Sequence, residues 1–548
     1  MACASAAEPI INSTVKEKGK YSDESGATEK ATSILPLKEQ YTFYGFMQFL
    51  RMNPWDMVLS IFLLLMGYEL KMFGNSYSID TEAMIQVQSS LYQSWIGLER
   101  FGLLLLKKVL GLYWYNNALA SFLAAVCLFG AALLWAYLFS GVINSKGKFH
   151  PIYFIGPFIT SPVLAEMLGF TLMGAEVGMA IAFVAIALMC LMNFVVYKKW
   201  WMGLLTVLFA AASFTLYLAM VTVFVAGFAM MFVLLFWNSS EFALARRFIF
   251  IVIGAGFFCI SYFLYMAANA CALKIYHMTT NSYINDQSRW GKDSIRSIVK
   301  SIRQHAASLY LGEGIYYSKV FTCLLVAFIV VILISVFRHS ADALTLIVSL
   351  CLCMSPMMMS IILGSAPSVR TEMSYPLMLA FTVVFLATWI SDFFMEKPTA
   401  VKCVAVALVF ALGWSQALIV NRIFYTEAIN HQQDMELAQD IRNRIDKLGV
   451  TDQSKETLIF LNYHPSACNS DCYTSDQLGL VGRSLFEVTV SPEQGTFVKT
   501  NFMNIMGSKF KQASESQLQS AMKYGATMPH WPASGSVIEK NDLIIVNF

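Results

Sequence analysis

The chain has 548 residues, of which 57% are hydrophobic and only 13% are charged, whereas soluble proteins average about 45–50% and 25%. This composition excludes a soluble globular protein and is typical of a polytopic membrane protein. The formal net charge of +3 gives no reason to expect nucleic acid as a partner. The first forty residues are polar and lack the apolar stretch of a signal peptide, so we expect no cleavable leader.

The N-terminal segment divides into a polar tail and an aromatic stretch. Residues 1–36 are rich in Ser, Glu and Lys, which predicts a disordered cytoplasmic tail. Residues 37–54 carry Tyr41, Phe43 and Tyr44 among other aromatic side chains, which predicts an interfacial helix leading into the membrane.

A long series of apolar segments follows. A spanning helix needs about 20 mostly apolar residues. The fold class predicted for residues 55–423 is therefore a polytopic α-helical membrane domain of about eleven transmembrane helices. The predicted spans are 55–74, 117–141, 152–171, 174–196, 202–216, 217–236, 248–273, 320–337, 341–363, 375–393 and 402–420. The run 202–236 has no polar break, and we divide it because it is too long for one span.

The basic residues of the short loops predict the orientation. They fall in every second loop, at Lys146/Lys148, Lys198/Lys199, Arg246/Arg247, Arg338 and Lys397/Lys402. By the positive-inside rule these loops and the N-terminus are cytoplasmic. The outer side then holds loops 75–116 and 274–319, short turns near 172 and 216, the short loop 364–374 and the C-terminal region. Within loop 274–319, the stretch 289–311 alternates apolar and basic faces and predicts a second interfacial helix.

Residues 424–548 have the composition of an ordinary soluble sequence and predict a small extracytoplasmic α/β domain. Apolar residues at helical spacing predict a helix over Met435–Leu448 that ends at Gly449. Strands are predicted at Leu458–Leu461, Leu485–Val490 and Leu543–Phe548. Cys468 and Cys472 lie in this domain, and in an oxidising compartment they are candidates for a disulfide if the chain turns tightly there.

Two carboxylates in the first outer loop are the candidate general base. Asp80 and Glu82 stand just beyond the first predicted span. An acid partly shielded from water has a raised pKa and is suited to deprotonating a hydroxyl. In an extended segment both side chains would face one side, whereas in a helix they would diverge by about 200°. The alternatives are that both acids are solvated, or that Asp80 caps the helix through Met84 and Val87.

Basic side chains near the outer surface are candidates for binding a phosphate. Arg100 and Lys107 share one face of a predicted amphipathic helix, with Lys108 beside them, and the alternative is contact with lipid headgroups. Arg370 lies in the tight outer loop 364–374, where it either closes a phosphate site or pairs with Glu372.

Other ionisable groups and motifs give less information about the functional site. Glu166 and Glu176 flank a predicted outer hairpin, and acidic groups at that depth are candidates for substrate contact. The sequence has no phosphate-binding Gly-rich loop, no nucleophile elbow and no zinc motif, and its 7 His are scattered. It therefore specifies no cofactor, and a divalent metal ion is left open.

The motifs of the first loop resemble a known family. Ser76-Tyr-Ser-Ile-Asp80-Thr-Glu82, followed by Ser94-Trp95 and Arg100-Phe-Gly102, is similar to the bacterial Gtr-type glucosyltransferases of O-antigen modification and serotype conversion. These are multispanning enzymes that resemble the GT-C glycosyltransferase class. Weaker similarities are Leu216-Tyr-Leu, Arg370 after its turn, and the ending Met528-Pro-His-Trp-Pro532.

The resemblance implies transfer of glucose from undecaprenyl-phosphate-glucose to O-antigen on the periplasmic side of the bacterial inner membrane. It implies that Asp80 is the base, with Glu82 beside it, and that Arg100 and Arg370 bind the donor phosphate, to which the helical spacing adds Lys107. Tyr77 and Trp95, which lie in the matching motifs, and Glu166 are then expected to contact substrate. No nucleotide is needed, because the polyprenyl phosphate is the leaving group.

Two other functions are compatible with parts of the sequence. A transporter or flippase for a lipid-linked saccharide explains the spans, but it explains neither the acidic first loop nor the outer domain. The nearer alternative is a GT-C enzyme with another sugar or acceptor, including an O-antigen polymerase or ligase.

Overall fold

The computed structural model describes residues 40–110, 115–143, 149–238, 243–281, 286–393, 398–450, 452–488 and 491–548. The tail predicted over 1–36 and the predicted cytoplasmic lysines Lys146, Lys148 and Lys397 lie outside the described residues.

Helices dominate the described chain. The first nine are α1 (Phe43–Met52), α2 (Pro54–Phe73), α3 (Thr81–Gln86), α4 (Gln88–Gly97), α5 (Phe101–Val109), α6 (Asn117–Val142), α7 (Ile152–Ile159), α8 (Pro162–Leu168) and α9 (Gly174–Tyr197). The next nine are α10 (Trp200–Leu216), α11 (Met220–Phe236), α12 (Leu244–Ile275), α13 (Ile295–Leu311), α14 (Phe321–Phe337), α15 (Ala343–Cys353), α16 (Met358–Leu363), α17 (Ser374–Phe393) and α18 (Pro398–Asp446). The C-terminal region adds α19 (Pro492–Ile505) and α20 (Glu515–Gly525).

The helices make this a membrane protein, although the count of eleven spans is not confirmed. Among the described residues, five helices are long and apolar enough to cross a membrane, or six if the bent pair Ala343–Cys353 and Ser355–Leu363 forms one span. Three further apolar helices, α10, α11 and α14, have only 17 residues each. Helix α2 has 20 residues but carries Asp56, Glu69 and Lys71.

The predicted span 152–171 is wrong as a continuous helix. It forms α7 and α8, which are separated at Thr160 and Ser161. Pro162 disfavours a helical conformation in the residue before it, and Ser161 is extended, with φ −63° and ψ 126°. Every residue of both helices is buried. The apolar character of this segment therefore reflects its place in the protein core.

The predicted division of 202–236 is confirmed as a break between two helices. Helix α10 ends at Leu216 and α11 begins at Met220. Between them Tyr217 has an extended backbone, with φ −154° and ψ 116°. This short turn is on the side that the charge pattern predicts to be outer.

One long helix joins two predicted segments. Helix α18 has 49 residues and contains both the predicted span 402–420 and most of the helix predicted to begin at Met435. The predicted domain boundary between residues 423 and 424 therefore falls inside a continuous helix. At a rise of 1.5 Å per residue such a helix is about 74 Å long, which is enough to cross a bilayer and extend well beyond it. Gly449 follows its end with a φ of +84°, as expected of a C-terminal glycine.

The C-terminal region contains three strands, β1 (Thr457–Leu461), β2 (Val537–Lys540) and β3 (Leu543–Asn547). They form one sheet in the order β1-β3-β2. Strands β1 and β3 are parallel, with Thr457 opposite Leu543, and β2 pairs antiparallel to β3. The predicted strand at 485–490 is wrong over its described part, 485–488. There the Leu485 amide donates to the carboxylate of Asp434 on α18, at 2.7 Å, and does not join a ladder.

Packing joins the helices to the C-terminal region. Helix α9 packs extensively against α6 and α10, and α18 packs along α2. One hydrophobic cluster runs from Tyr41, beside α1, through the apolar helices to Ile544 and Val546 on β3. The other face of the sheet packs Ile459 and Ile545 against α20. The apolar helices and the sheet thus share one hydrophobic core.

Candidate active site

Asp80 lies in a tight turn between α2 and α3. Its backbone is left-handed, with φ 74°, a conformation that Asp tolerates better than most residues. Although it occupies the N-cap position of α3, its side chain makes no capping hydrogen bond. Capping therefore does not account for this carboxyl group, which is half-buried.

The charge state of Asp80 reflects two opposing influences. Burial raises the pKa of its carboxyl group, while the nearby guanidinium groups of Arg370 and Arg100 lower it, and the net change is upward. Both arginines therefore act on the same carboxylate, although Arg370 is almost three hundred positions away in the sequence. A carboxylate with a raised pKa is a stronger base than a solvated one.

Glu82 has a different environment from Asp80. It lies in the first turn of α3, its side chain is only 1% exposed, and its Oε2 atom has no hydrogen-bond partner among the described residues. Burial, and then the neighbouring Asp80 charge, raise its pKa well above the usual range. Of the two predicted acids, Asp80 is therefore the one that solvent and substrate can reach.

Tyr217 brings the two predicted arginines together. The Arg100 guanidinium lies over its ring, 5.0 Å from the centroid. The Tyr217 hydroxyl donates to the backbone carbonyl of Arg370 at 3.4 Å. The Arg370 guanidinium lies over the ring of Phe170, at 4.1 Å. The break between α10 and α11 thus places an aromatic residue between the first outer loop and the loop 364–374.

The alternative partner of Arg370 is engaged elsewhere. Glu372 is fully buried, and its carboxylate lies 2.5 Å from Nε2 of His305 and accepts the Tyr317 hydroxyl at 2.5 Å. These contacts attach α13 to the loop 364–374. They make Glu372 a structural residue of this loop, distinct from the arginine two positions before it.

Lys107 is not on the headgroup surface. Its Nζ atom lies 2.6 Å from a carboxylate oxygen of Glu176, both side chains are buried, and the indole of Trp95 is 5.9 Å away. Lys108 is exposed and contacts Tyr276 instead. Lys107 thus has an internal counter-ion, and its role toward a donor phosphate stays a prediction.

The predicted substrate contacts Tyr77 and Glu166 lie where the outer loops meet the C-terminal region. The Tyr77 ring is buried 4.6 Å from the ring of His431. Glu166 accepts the Tyr316 hydroxyl at 2.9 Å and the Leu480 amide at 2.7 Å. Both side chains therefore attach the C-terminal region to the membrane helices, and Trp95 is buried beside Lys107.

Two features were missed by reasoning from the sequence. One is the buried ion pair between Lys71 of α2 and Glu427 of α18. A lysine inside an apolar span is a signal that points to Lys71, but nothing local points to its partner. The other is Tyr217, which entered only as part of a weak family motif.

The two predicted cysteines lie in the C-terminal region. The structure joins Cys468 and Cys472 as a disulfide, with their Cα atoms 6.0 Å apart. The Arg422 side chain donates to the Asp471 carbonyl at 2.6 Å in the same turn. In the part of the chain that the structure describes, no group of three or more His, Cys, Asp or Glu residues is arranged to hold a metal ion.

The fold and the site define a helical membrane protein in which a half-buried carboxylate, Asp80, is close enough to Arg100 and Arg370 for both to lower its pKa. Comparison with known families agrees with that description. Residues 70–426 match the family described as Glucosyl transferase GtrII, and the chain belongs to this family. It is therefore a glycosyltransferase, and the predicted resemblance to Gtr-type enzymes is confirmed.

The match includes Asp80, Glu82, Arg100 and Arg370. It ends just before Glu427, so the C-terminal motifs of the predicted resemblance lie beyond it. No curated protein matches the chain. No solved structure matches it either.

Proposed function

We propose that this membrane glucosyltransferase moves a glucosyl residue from undecaprenyl-phosphate-glucose to O-antigen, at the periplasmic face of the bacterial inner membrane. The observation that carries the proposal is the convergence of one half-buried carboxylate with two arginines. Asp80, Arg100 and Arg370 come from three separate segments: the two arginines meet at Tyr217, and both lower the pKa of the Asp80 carboxyl group. A base beside an anion-binding pair is what transfer from a phosphate donor requires.

In the proposed reaction Asp80 takes the proton of the acceptor hydroxyl. The acceptor oxygen forms a bond to the anomeric carbon of glucose while the bond from that carbon to the phosphate oxygen breaks. Direct displacement inverts the anomeric centre. The side-chain carboxyl of Asp80 is the better candidate for this role because Glu82 is buried and its pKa is raised further.

The leaving group is undecaprenyl phosphate, and its negative charge grows as the bond breaks. Arg100 and Arg370 would stabilise that charge, because guanidinium groups bind phosphate with paired hydrogen bonds. The Tyr217 ring under Arg100 and the Phe170 ring under Arg370 restrict both groups to one area. Fixed cations at the position of developing charge are an effective way to lower a barrier.

The predicted orientation in the membrane is consistent with donor and acceptor meeting on the same side of the bilayer. With the N-terminus and the basic loops in the cytoplasm, the Asp80 loop, the loop 364–374 and the C-terminal region face the periplasm. A lipid-linked donor lies in the bilayer, whereas O-antigen is water-soluble at its sugar end. A site at the outer ends of the helices is accessible to both.

A flippase for a lipid-linked saccharide is the competing function of another class. It would need neither a base nor an acceptor, and the family to which the chain belongs is named for glucosyl transfer. A GT-C enzyme with another sugar or acceptor shares the proposed chemistry and differs only in specificity.

The test uses the purified full-length protein in lipid nanodiscs with labelled undecaprenyl-phosphate-glucose and isolated O-antigen. We expect acceptor-dependent transfer of label with inversion at the anomeric carbon, read by NMR. Undecaprenyl-phosphate-mannose and undecaprenyl-phosphate-arabinose are the matched donors that test whether the enzyme is specific for glucose. Movement of the donor across vesicle membranes without transfer would contradict the proposal and favour the flippase.

A further inference from the structure

A buried ion pair lies directly behind the Asp80 loop. The Nζ atom of Lys71, near the end of α2, contacts Oε1 of Glu427 on α18, and both side chains are only 2% exposed. The two residues are 356 positions apart in the sequence. Taking two charges out of water is costly, and such a pair persists only where geometry and further hydrogen bonds compensate.

The further hydrogen bonds of this pair all go to the segment before Asp80. The carboxylate of Glu427 accepts the hydroxyl of Ser76 at 2.9 Å and that of Ser78 at 2.7 Å. The ammonium group of Lys71 also donates to the backbone carbonyl of Ser76 at 3.1 Å. One carboxylate and one ammonium group therefore hold two alternate residues of the loop.

A second element supports the same segment. The side-chain amide of Asn117, at the start of α6, donates to the Ser76 carbonyl at 3.0 Å. After Ser78 the chain turns at once, and the Thr81 amide donates to the Ser78 carbonyl at 3.4 Å. Asp80 lies inside this turn, in its left-handed conformation. The position of its carboxyl group thus depends on where Ser76 and Ser78 are held.

We propose that Glu427 and Lys71 are positioning residues for the transfer reaction. By holding Ser76 and Ser78 they fix the Asp80 carboxyl relative to Arg100 and Arg370. This inference rests on the proposed role of Asp80 as the base. It assigns a function to the part of α18 that follows the apolar span, and it makes the Asp80 loop dependent on a residue just beyond the matched family region, residues 70–426.

A purely structural role makes a different prediction. If the pair only joined α2 to α18, its loss would lower the amount of folded enzyme, and the molecules that fold would work normally. If it positions Asp80, folded enzyme would have a reduced kcat with a nearly unchanged KM for the donor. Misplacement of a reacting group by about 1 Å costs about 10²-fold in rate.

The first experiment measures transfer by Glu427→Gln at equal amounts of folded protein, with the exposed Glu436→Gln on the same helix as the matched control. Glu436 is exposed, and its one side-chain hydrogen bond among the described residues is accepted from the side-chain amide of Gln432. We expect the kcat of Glu427→Gln to fall about 10- to 100-fold, the donor KM to change less than about threefold, and Glu436→Gln to behave as the parent. A normal kcat for folded Glu427→Gln would overturn the inference.

A double variant covers the case in which Glu427→Gln does not fold. Lys71→Met with Glu427→Leu replaces the ion pair with apolar side chains of similar size, a change that buried pairs often tolerate. We expect this protein to fold and insert but to stay impaired in kcat, because the two serine hydroxyls have lost their acceptor. Full recovery of turnover would show that only packing matters, and it would overturn the inference.

Non-additivity separates this inference from the proposed function. If Glu427 acts through Asp80, then Asp80→Asn combined with Glu427→Gln will be no slower than Asp80→Asn alone. Losses that multiply would overturn the positioning role and leave the base assignment intact. If Asp80→Asn were fully active, Asp80 would not be the base, and the positioning inference would be overturned as well.

Discussion

The acids of the first outer loop and the acids that contact the loop 478–485 of the C-terminal region differ in how they are paired. The two acids that contact 478–485, Glu166 of α8 and Asp434 of α18, each accept from several donors. Glu166 accepts from Tyr316 and the Leu480 amide, and Asp434 accepts from the Ser484 hydroxyl and the Leu485 amide. In the first loop Asp80 makes no capping bond, and one oxygen of Glu82 has no partner among the described residues.

The contrast separates structural acids from the candidate catalytic acid. Buried polar groups are nearly always paired, so an acid without a full set of partners calls for an explanation. Glu166 and Asp434, which accept several hydrogen bonds, attach one part of the chain to another. Asp80, which makes no capping bond, has two arginines close enough to lower its pKa. Substituting the structural acids and the residues of the candidate site in turn tests this distinction.

The largest effect is expected at Asp80. Asp80→Asn keeps the size and polarity of the side chain but cannot accept the acceptor's proton, so turnover should fall about 10²–10⁴-fold while donor binding is kept. Transfer assays and donor-binding assays on the same preparation measure both quantities. The exposed Asp440→Asn on α18 is the control and should be unaffected. If Glu82→Gln were inactive and Asp80→Asn active, the roles of the two acids would be exchanged.

The next effect is expected at the two arginines. Arg100→Gln and Arg370→Gln each remove a cation from the donor phosphate, and we expect kcat/KM for the donor to fall about 10- to 100-fold, since hydrogen bonds to charged groups contribute about 1.5–3 kcal/mol. Arg296→Gln, on the exposed face of α13, is the matched control. If the donor dependence were unchanged in both variants, Arg100 and Arg370 would have only a structural role.

Glu166 should show the opposite pattern. Glu166→Gln loses charge-assisted acceptance from Tyr316 and the Leu480 amide, so we expect the C-terminal region to detach more easily, at a cost of about 1–3 kcal/mol. Limited proteolysis and thermal unfolding measure this change, with the exposed Glu493→Gln as the control. A raised KM with unchanged stability would instead support the predicted contact between Glu166 and substrate.

The smallest effect is a shift in pH dependence. Asp80 is active as a base only when ionised, and burial raises its pKa, so transfer should decline at a higher pH on acidification than it would with a solvated aspartate. Arg370 lowers that pKa, so Arg370→Gln should raise it and move the acid limb of the kcat profile to higher pH. An acid limb that stays in place would show that Arg370 does not act on the base.

Much of the site could be predicted from the sequence because it depends on local properties. Asp80, Arg100 and Arg370 are polar residues at the ends of apolar segments, and hydropathy together with the family motifs was sufficient to find them. Lys107 is predicted to bind the donor phosphate, with lipid headgroups as the alternative, because helical spacing places it on the same face as Arg100. Its partner Glu176 is 69 positions away, and no local pattern predicts that pairing.

The errors in the fold have the same origin. Residues 152–171 are apolar enough for a span, but Pro162 breaks the helix and the surrounding protein buries both halves. Residues 485–488 have strand-like composition, but Asp434 takes the Leu485 amide. In both places a tertiary contact or a backbone constraint outweighed the local composition.

The sequence by itself determined that this is a helical membrane protein, which segments are apolar, and which loop carries the acids, because hydropathy and charge act residue by residue. Only the tertiary structure decided which acid is accessible, that Tyr217 lies between the two arginines, and that Glu427 holds the loop before Asp80. Burial and ion pairing depend on residues that meet only after folding, as Lys71 and Glu427 do across 356 positions. The candidate acids are therefore visible in the composition of one loop, whereas the geometry around them depends on the whole chain.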